Sequence, residues 1–323
     1  MAIIDSISRN ARGFGQMKRP VPRGVSAIAC IMLLVLCSFA RQPREASIHP
    51  DPAELMRKSA DNEISAAQDE TAHFLFRGIK TTPRGSTTRL YVETNEATAG
   101  LVIGYNGQSL SPEQRRDEEA RVERFINNPD EMKKKREQER QNAERTLRIM
   151  RAMADAFLFE YVGEEPAPEG AGRAGQMLVK LTFRPNPNYQ PPSHVEEVLP
   201  GMQGYVLIDA LHHRIARIDG TLFKEVSFGW GILGHLDRGG RFIVQQQEVG
   251  DNLWEISGMT LAFTGKILLF KNLNINSTEV FSRFKRVPAD LTFAQALDLL
   301  KKEETSAAAE TTAKTAATKA DHE

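Results

Sequence analysis

Side chains able to do chemistry are scattered through this chain and do not group into a recognisable reaction centre. Ser282 and Lys285 stand three apart, the spacing of the nucleophile and lysine of serine acyl enzymes. That chemistry needs the pair on a helix, with Ser-Asp-Asn and Lys-Thr-Gly elements elsewhere. Here the two lie in a strand-like run, where residues three apart face opposite sides. His212 and His213 follow Asp209 closely, but a metal would need a third ligand and two imidazoles aimed alike, which adjacent residues rarely achieve. A solvated turn is expected there, and the same reading applies to His235, whose nearby acid is Asp237. Gly170, Gly172 and Gly175 match a dinucleotide-binding spacing, which requires a strand before and a helix after. Pro166 and Pro168 precede them and a strand-like run at 177–183 follows, so a flexible loop is expected. No nucleophile, base and orienting acid can be assembled. The expectation is a non-enzymatic protein with no catalytic, cofactor or metal residues.

Apolar residues offer a different kind of site. In Phe228-Gly229-Trp230-Gly231-Ile232-Leu233-Gly234 large side chains alternate with glycines between two strand-like runs. Glycine lets a backbone bend sharply or approach another surface, so this segment is either core folded over the end of a sheet or a mobile apolar lip for a lipid chain or membrane. Further on, Trp254 and Ile256, then Leu261 and Phe263 after a break near Gly258, alternate as strand residues that share a face. Phe228, Trp230, Ile232, Leu233, Trp254, Ile256, Leu261 and Phe263 are the candidate lining of an apolar ligand cavity.

The elements that would position them read as follows. Asp51 and Pro52 cap and open a helix over 51–68, with Leu55, Met56, Ile64 and Ala67 at loosely helical spacing. Strands follow at 73–79, 88–94 and 100–105, and Asn106-Gly107 makes a tight turn because both residues tolerate positive φ. Residues 111–156 change character to Glu, Arg, Lys and Gln, interrupted at Asn127-Asn128-Pro129-Asp130, and read as a charged helical insertion. Between 130 and 145 the apolar residues are Met132 and Ala143, so that stretch is expected to be solvated, with docking left to Leu147, Met150, Ala154 and Phe157. Strand runs resume at 157–162, 176–183, 204–209, 214–219, 221–228, 241–247, 253–263, 267–272 and 278–285, with turns at Asp219-Gly220, Gly239-Gly240 and Gly250-Asp251-Asn252. Leu291, Ala294, Leu297 and Leu300 stripe a last helix ending at Lys302. The fold class is α+β, a large curved antiparallel sheet with helices packed in or over it. One domain is expected over 41–303.

Both ends differ from this body. Arg9, Arg12, Lys18, Arg19 and Arg23 precede an apolar run over 25–37, and Ser38 and Ala40 fit a signal-peptidase site. Residues 1–40 read as a signal peptide or, uncleaved, a membrane anchor, which places the rest in the periplasm or cell envelope. Lipidation at Cys37 is disfavoured by the bulky residues before it. Both cysteines, Cys30 and Cys37, fall in this segment, so a cleaved chain has no disulfide and no thiol chemistry. After Glu304 the sequence is Ala, Thr, Lys and Glu, too poor in bulky apolar groups to offset ordering entropy, and 304–323 is expected to be disordered. The formal charge is +0, which leaves no global field to attract nucleic acid.

Four phrases carry a family resemblance: Gly107-Gln108-Ser109-Leu110-Ser111 after a hairpin, Gly163-Glu164-Glu165 after the long helix, Gly204 with Ile208-Asp209, and Phe228-Gly229-Trp230-Gly231. Their order resembles uncharacterised exported bacterial proteins of the LolA-like superfamily, over about 51–300. The resemblance implies an incomplete β-barrel wrapped on helices, with an apolar hollow for acyl chains, and the charged insertion is an addition to that pattern. A lipid or lipoprotein ligand is therefore the leading expectation. The alternatives are a structural or sensory module that docks an envelope protein through its charged helices, with its hollow self-filled, and, last, a hydrolase.

Overall fold

A computed structural model describes residues 50–69, 71–229, 233–267 and 271–320, with side chains described as far as 306. Helix α1 (Pro52–Ala66) begins where Asp51 accepts the backbone N–H groups of Ala53 and Glu54. Strands β1 (His73–Thr82), β2 (Gly85–Val92), β3 (Ala99–Tyr105) and β4 (Gln108–Ser109) form a meander, and Asn106 and Gly107 take the positive φ expected of their turn. A helical hairpin follows, α2 (Pro112–Asn127) and α3 (Pro129–Ala156), broken where Asn128 caps α3. The second strand series is β5 (Phe157–Pro166), β6 (Met177–Pro185), β7 (Met202–Asp209), β8 (Arg214–Leu222), β9 (Val226–Phe228), β10 (Gly234–Leu236), β11 (Arg241–Gly250), β12 (Leu253–Ile267) and β13 (Lys271–Val287). The last helix, α4, is Phe293–Ala320.

Among the described residues these strands make one 13-stranded sheet in the order β4-β3-β2-β1-β13-β12-β11-β8-β7-β6-β5, with β10 paired to β12 and β9. Every neighbouring pair is antiparallel. The sheet is open, so the expected α+β class holds and there is no closed barrel. The two strand series meet at β1 and β13, and the α2–α3 hairpin carries the chain from one outer strand, β4, to the other, β5.

Traced through the pairings, Phe263, Ile275, Glu279, Gly78 and Tyr91 share one face and Leu75, Leu90 and Val92 the other. The main core lies on the first face, where Leu55 and Met56 of α1 and Met153 and Ala156 of α3 cover Val206, Ile208, Ile218 and Phe263. On the second face Phe293, Leu297 and Leu300 of α4, with Val122 of α2 and Met132 of α3, cover Leu75, Leu90, Val92 and Leu101.

Several boundaries differ from the expectations. Asp219-Gly220 is mid-strand, because Gly220 lies under the Phe242 ring, 2.3 Å from where a Cβ would sit. The run at 278–285 lies within β13, while the run at 267–272 begins at Ile267, the end of β12, and finishes at Lys271 and Asn272 of β13. On α1 the buried stripe is Leu55, Met56, Ser59, Ala60 and Glu63, so Ile64 and Ala67 lie off it. On α4 the buried residues are Phe293, Ala296, Leu297 and Leu300, while Ala294 is exposed. The described part of α4 runs beyond Lys302 to Ala320. Residues 1–40, with the expected signal and both cysteines, lie outside the described residues, among which no helix is long and apolar enough to cross a membrane.

Candidate functional site

Strand β3 is flanked by only a two-residue partner, β4, at Gly104 and Tyr105, so the rest of its outer edge offers unpaired backbone groups. Such an edge invites pairing with another chain. The helical hairpin occupies it with charged side chains. Glu139 accepts the Thr98 N–H at 3.0 Å, Arg121 donates to the Gly100 carbonyl at 2.8 Å, and Glu118 accepts the Val102 N–H at 2.6 Å. Arg121 also grips Glu118 through Nε and Nη2, at 2.7 and 2.6 Å. The insertion expected to be largely solvated is therefore docked at this edge, and Met132 is buried beneath it.

Where this hairpin leans over β2 and β3 it leaves a cavity of about 250 Å3. Its apolar wall is Val122, Phe125, Phe293 and Leu297, with Tyr91 on the strand side. Phe125 meets Phe293 edge-on, ring centres 6.4 Å apart. Three cationic side chains, Arg89, Arg121 and Lys135, one carboxylate, Glu139, and Thr98 and Gly100 complete the lining. Arg121 is committed to Glu118 and the β3 edge, and Lys135 pairs with Glu139. Arg89 is exposed and makes no hydrogen bond or ion pair among the described residues. The cavity thus combines an apolar wall with one uncommitted cation, an arrangement suited to an anionic group attached to an apolar body.

A second polar centre is buried. Glu63 of α1 takes a two-pronged bond from Arg214, at 2.9 and 3.0 Å, and also accepts the Ile215 N–H and the Gln246 amide. The Arg214 guanidinium lies 5.4 Å from the centre of the Trp254 ring. Burial pushes the Glu255 carboxyl up to about 8, Glu93 pushes it the same way and Arg214 opposes them. Glu93 is itself raised by burial, against a hydrogen bond from the Phe74 N–H. With its bonds satisfied, the Glu63 cluster fastens α1 to the sheet. Sequence reading missed Glu63 and Arg214, although Glu63 falls at helical spacing from Met56, Ser59 and Ala60.

The six described residues of the expected lining fall in different places. Phe228 and Phe263 are buried in the main core, and Leu233 and Leu261 pack against it. Trp254 belongs to a separate cluster with Ala171, Leu178, Leu207 and Ala216, and Ile256 is 45% exposed. Trp230 and Ile232 lie outside the described residues. The break near Gly258 is present as a register shift between Gln245 and Gln246. Where Phe228 and Phe263 lie, the main face is covered by α1 and α3.

The polar motifs resolve as follows. Lys285 pairs with Glu303 of α4 at 2.6 Å, away from any role with Ser282. His212 hydrogen-bonds Asp209 at 2.9 Å and lies 3.1 Å from Arg173, more engaged than a solvated turn, while His213 adopts positive φ. Gly170, Gly172 and Gly175 all have positive φ, and the Gly172 N–H bonds the Gln246 carbonyl, which docks that loop on β11.

Two solved structures are similar to this chain. One is a domain from Vibrio parahaemolyticus described as an outer membrane lipoprotein-sorting protein domain, at 12% identity and a TM-score of 0.28, covering 77% of this chain and 99% of that one. The other is a DUF1329 family protein from Desulfovibrio piger, at 11% identity and a TM-score of 0.28, covering 78% and 100%. No protein-family model and no curated protein matches the chain.

Proposed function

We propose that this chain is an exported, non-catalytic envelope protein that holds an anionic amphiphile, a lipid or the acyl portion of a lipoprotein, in the cavity between β2, β3 and helices α2 to α4. The observation that carries the reading is the amphipathic lining, with Phe125, Phe293 and Leu297 opposite the uncommitted Arg89. At about 250 Å3 the cavity is just below the roughly 300–1,000 Å3 of pockets that enclose a whole small ligand. It would enclose a headgroup or chain segment and leave the rest outside. The signal-like amino terminus supports export. Docking of a partner protein through the charged helices is the weaker reading, because Glu118, Arg121 and Glu139 are spent on the β3 edge.

Uptake of a fluorescent fatty acid tests the proposal. The fatty acid should bind more tightly than the matching alcohol. Arg89→Glu should weaken its binding about tenfold or more, the worth of one charge-assisted contact. Thr98→Trp, which puts a large side chain at a half-buried lining position, should abolish uptake. Failure of the wild-type chain to bind, or equal binding by both variants, rejects the proposal.

A further inference from the structure

The short ribbon of β9 and β10 brings together three side chains that sequence distance separates. Val226 pairs with Leu236 and Ser227 with His235, so Glu225, at the entry to β9, comes beside Asp237, at the exit from β10. His235 and Asp237 are two apart and therefore face the same side. One ligand atom from each of Glu225, His235 and Asp237 falls within 4.8 Å of the others. We propose that these three residues bind a divalent first-row transition cation.

The spacing is that of a metal site more than of a hydrogen-bonded pair. His235 Nε2 stands 3.4 Å from Asp237 Oδ1. Two donors each about 2.0–2.1 Å from one ion at a tetrahedral angle lie about 3.4 Å apart. The other histidine–carboxylate contacts are shorter: His194 to Glu197 at 2.8 Å and His212 to Asp209 at 2.9 Å, both hydrogen bonds. Asp237 is held from the far side, since Thr264 Oγ1 donates to its Oδ2 at 2.6 Å and its N–H donates to the Thr264 carbonyl at 2.9 Å. That leaves Oδ1 aimed at the imidazole, the outer support that metal-binding carboxylates use. Among the described residues no lysine or arginine forms an ion pair with either carboxylate. Lys224 lies over the Phe223 ring, and Lys266, paired in register with His235, makes no ion pair with either acid among the described residues. A cation would relieve their repulsion. One imidazole with two carboxylates favours Zn2+, Mn2+ or Fe2+ over Ca2+ and Mg2+, which take oxygen ligands, and three protein ligands leave a coordination position open.

Calorimetric titration of the untagged full chain with Zn2+, and the visible absorption of the Co2+ form, test this site. The expected result is about one ion per chain with little response to Mg2+. His235→Ala and Asp237→Asn should each weaken binding at least tenfold, and Thr264→Val, which removes only the outer support, by roughly tenfold. His212→Ala should bind as the wild type does. Absence of Zn2+ binding below millimolar concentration, or undiminished binding by a folded His235→Ala chain, overturns the proposal.

Discussion

Glu255 is a carboxyl that the fold keeps protonated at neutral pH, because burial and the neighbouring Glu93 carboxylate both disfavour its charge. Its folded value of about 8 lies above the ordinary 4.5, so the folded chain binds this proton more tightly than the unfolded one. The associated stability is fully present below about 4.5 and is lost as pH rises through about 8. Urea unfolding should therefore show stability falling between these values, with a slope of up to about 1.4 kcal/mol per pH unit. Glu255→Gln should flatten that slope, and an unchanged slope in the variant would remove Glu255 as its cause. Arg89 sits at the opposite extreme, an exposed side chain without a hydrogen bond or ion pair among the described residues, and adds little to stability. Its substitution should therefore change ligand uptake and leave the melting temperature nearly unchanged.

The α2–α3 hairpin acts as the missing neighbour of β3. Its acids accept two edge N–H groups and its arginine donates to the carbonyl between them, in the alternation a further strand would supply. Glu118→Ala should cost about 1–3 kcal/mol, the penalty of leaving buried groups unpaired, and should raise concentration-dependent self-association through the exposed edge. Ultracentrifugation at two concentrations checks the second effect, and a variant as monomeric and stable as the wild type would show that the edge is guarded by other means. None of this is legible in sequence. The helix starts were, because Asp51-Pro52 and Asn128-Pro129 act through bonds two or three residues away, and Asn106-Gly107 likewise marks its own turn. Asp219-Gly220 misled because the reason for Gly220 is the Phe242 ring on another strand. The stretch at 130–145 read as solvated because the partner of Glu139 is the backbone N–H of Thr98, just before β3, which no side-chain pattern reveals.

Across the whole molecule, the antiparallel sheet was legible from regularly spaced strands and turns. What could not be read was which face each apolar strand residue would serve. Bulges such as that at Gln245 and Gln246 change the alternation locally, and α1 and α3 come from distant parts of the chain to fill the face where Phe228 and Phe263 lie. Helices α1 and α3 cover the face where Phe228 and Phe263 lie, and the proposed ligand space is at the other end of the sheet, where α2, α3 and α4 meet β2 and β3. Native mass spectrometry and lipid extraction of chain gently purified from an envelope fraction test this location most directly. The account predicts an anionic amphiphile with the wild type, about one per chain, and its loss in Thr98→Trp. A lipid-free wild type, or lipid retained equally by the blocked variant, would contradict it.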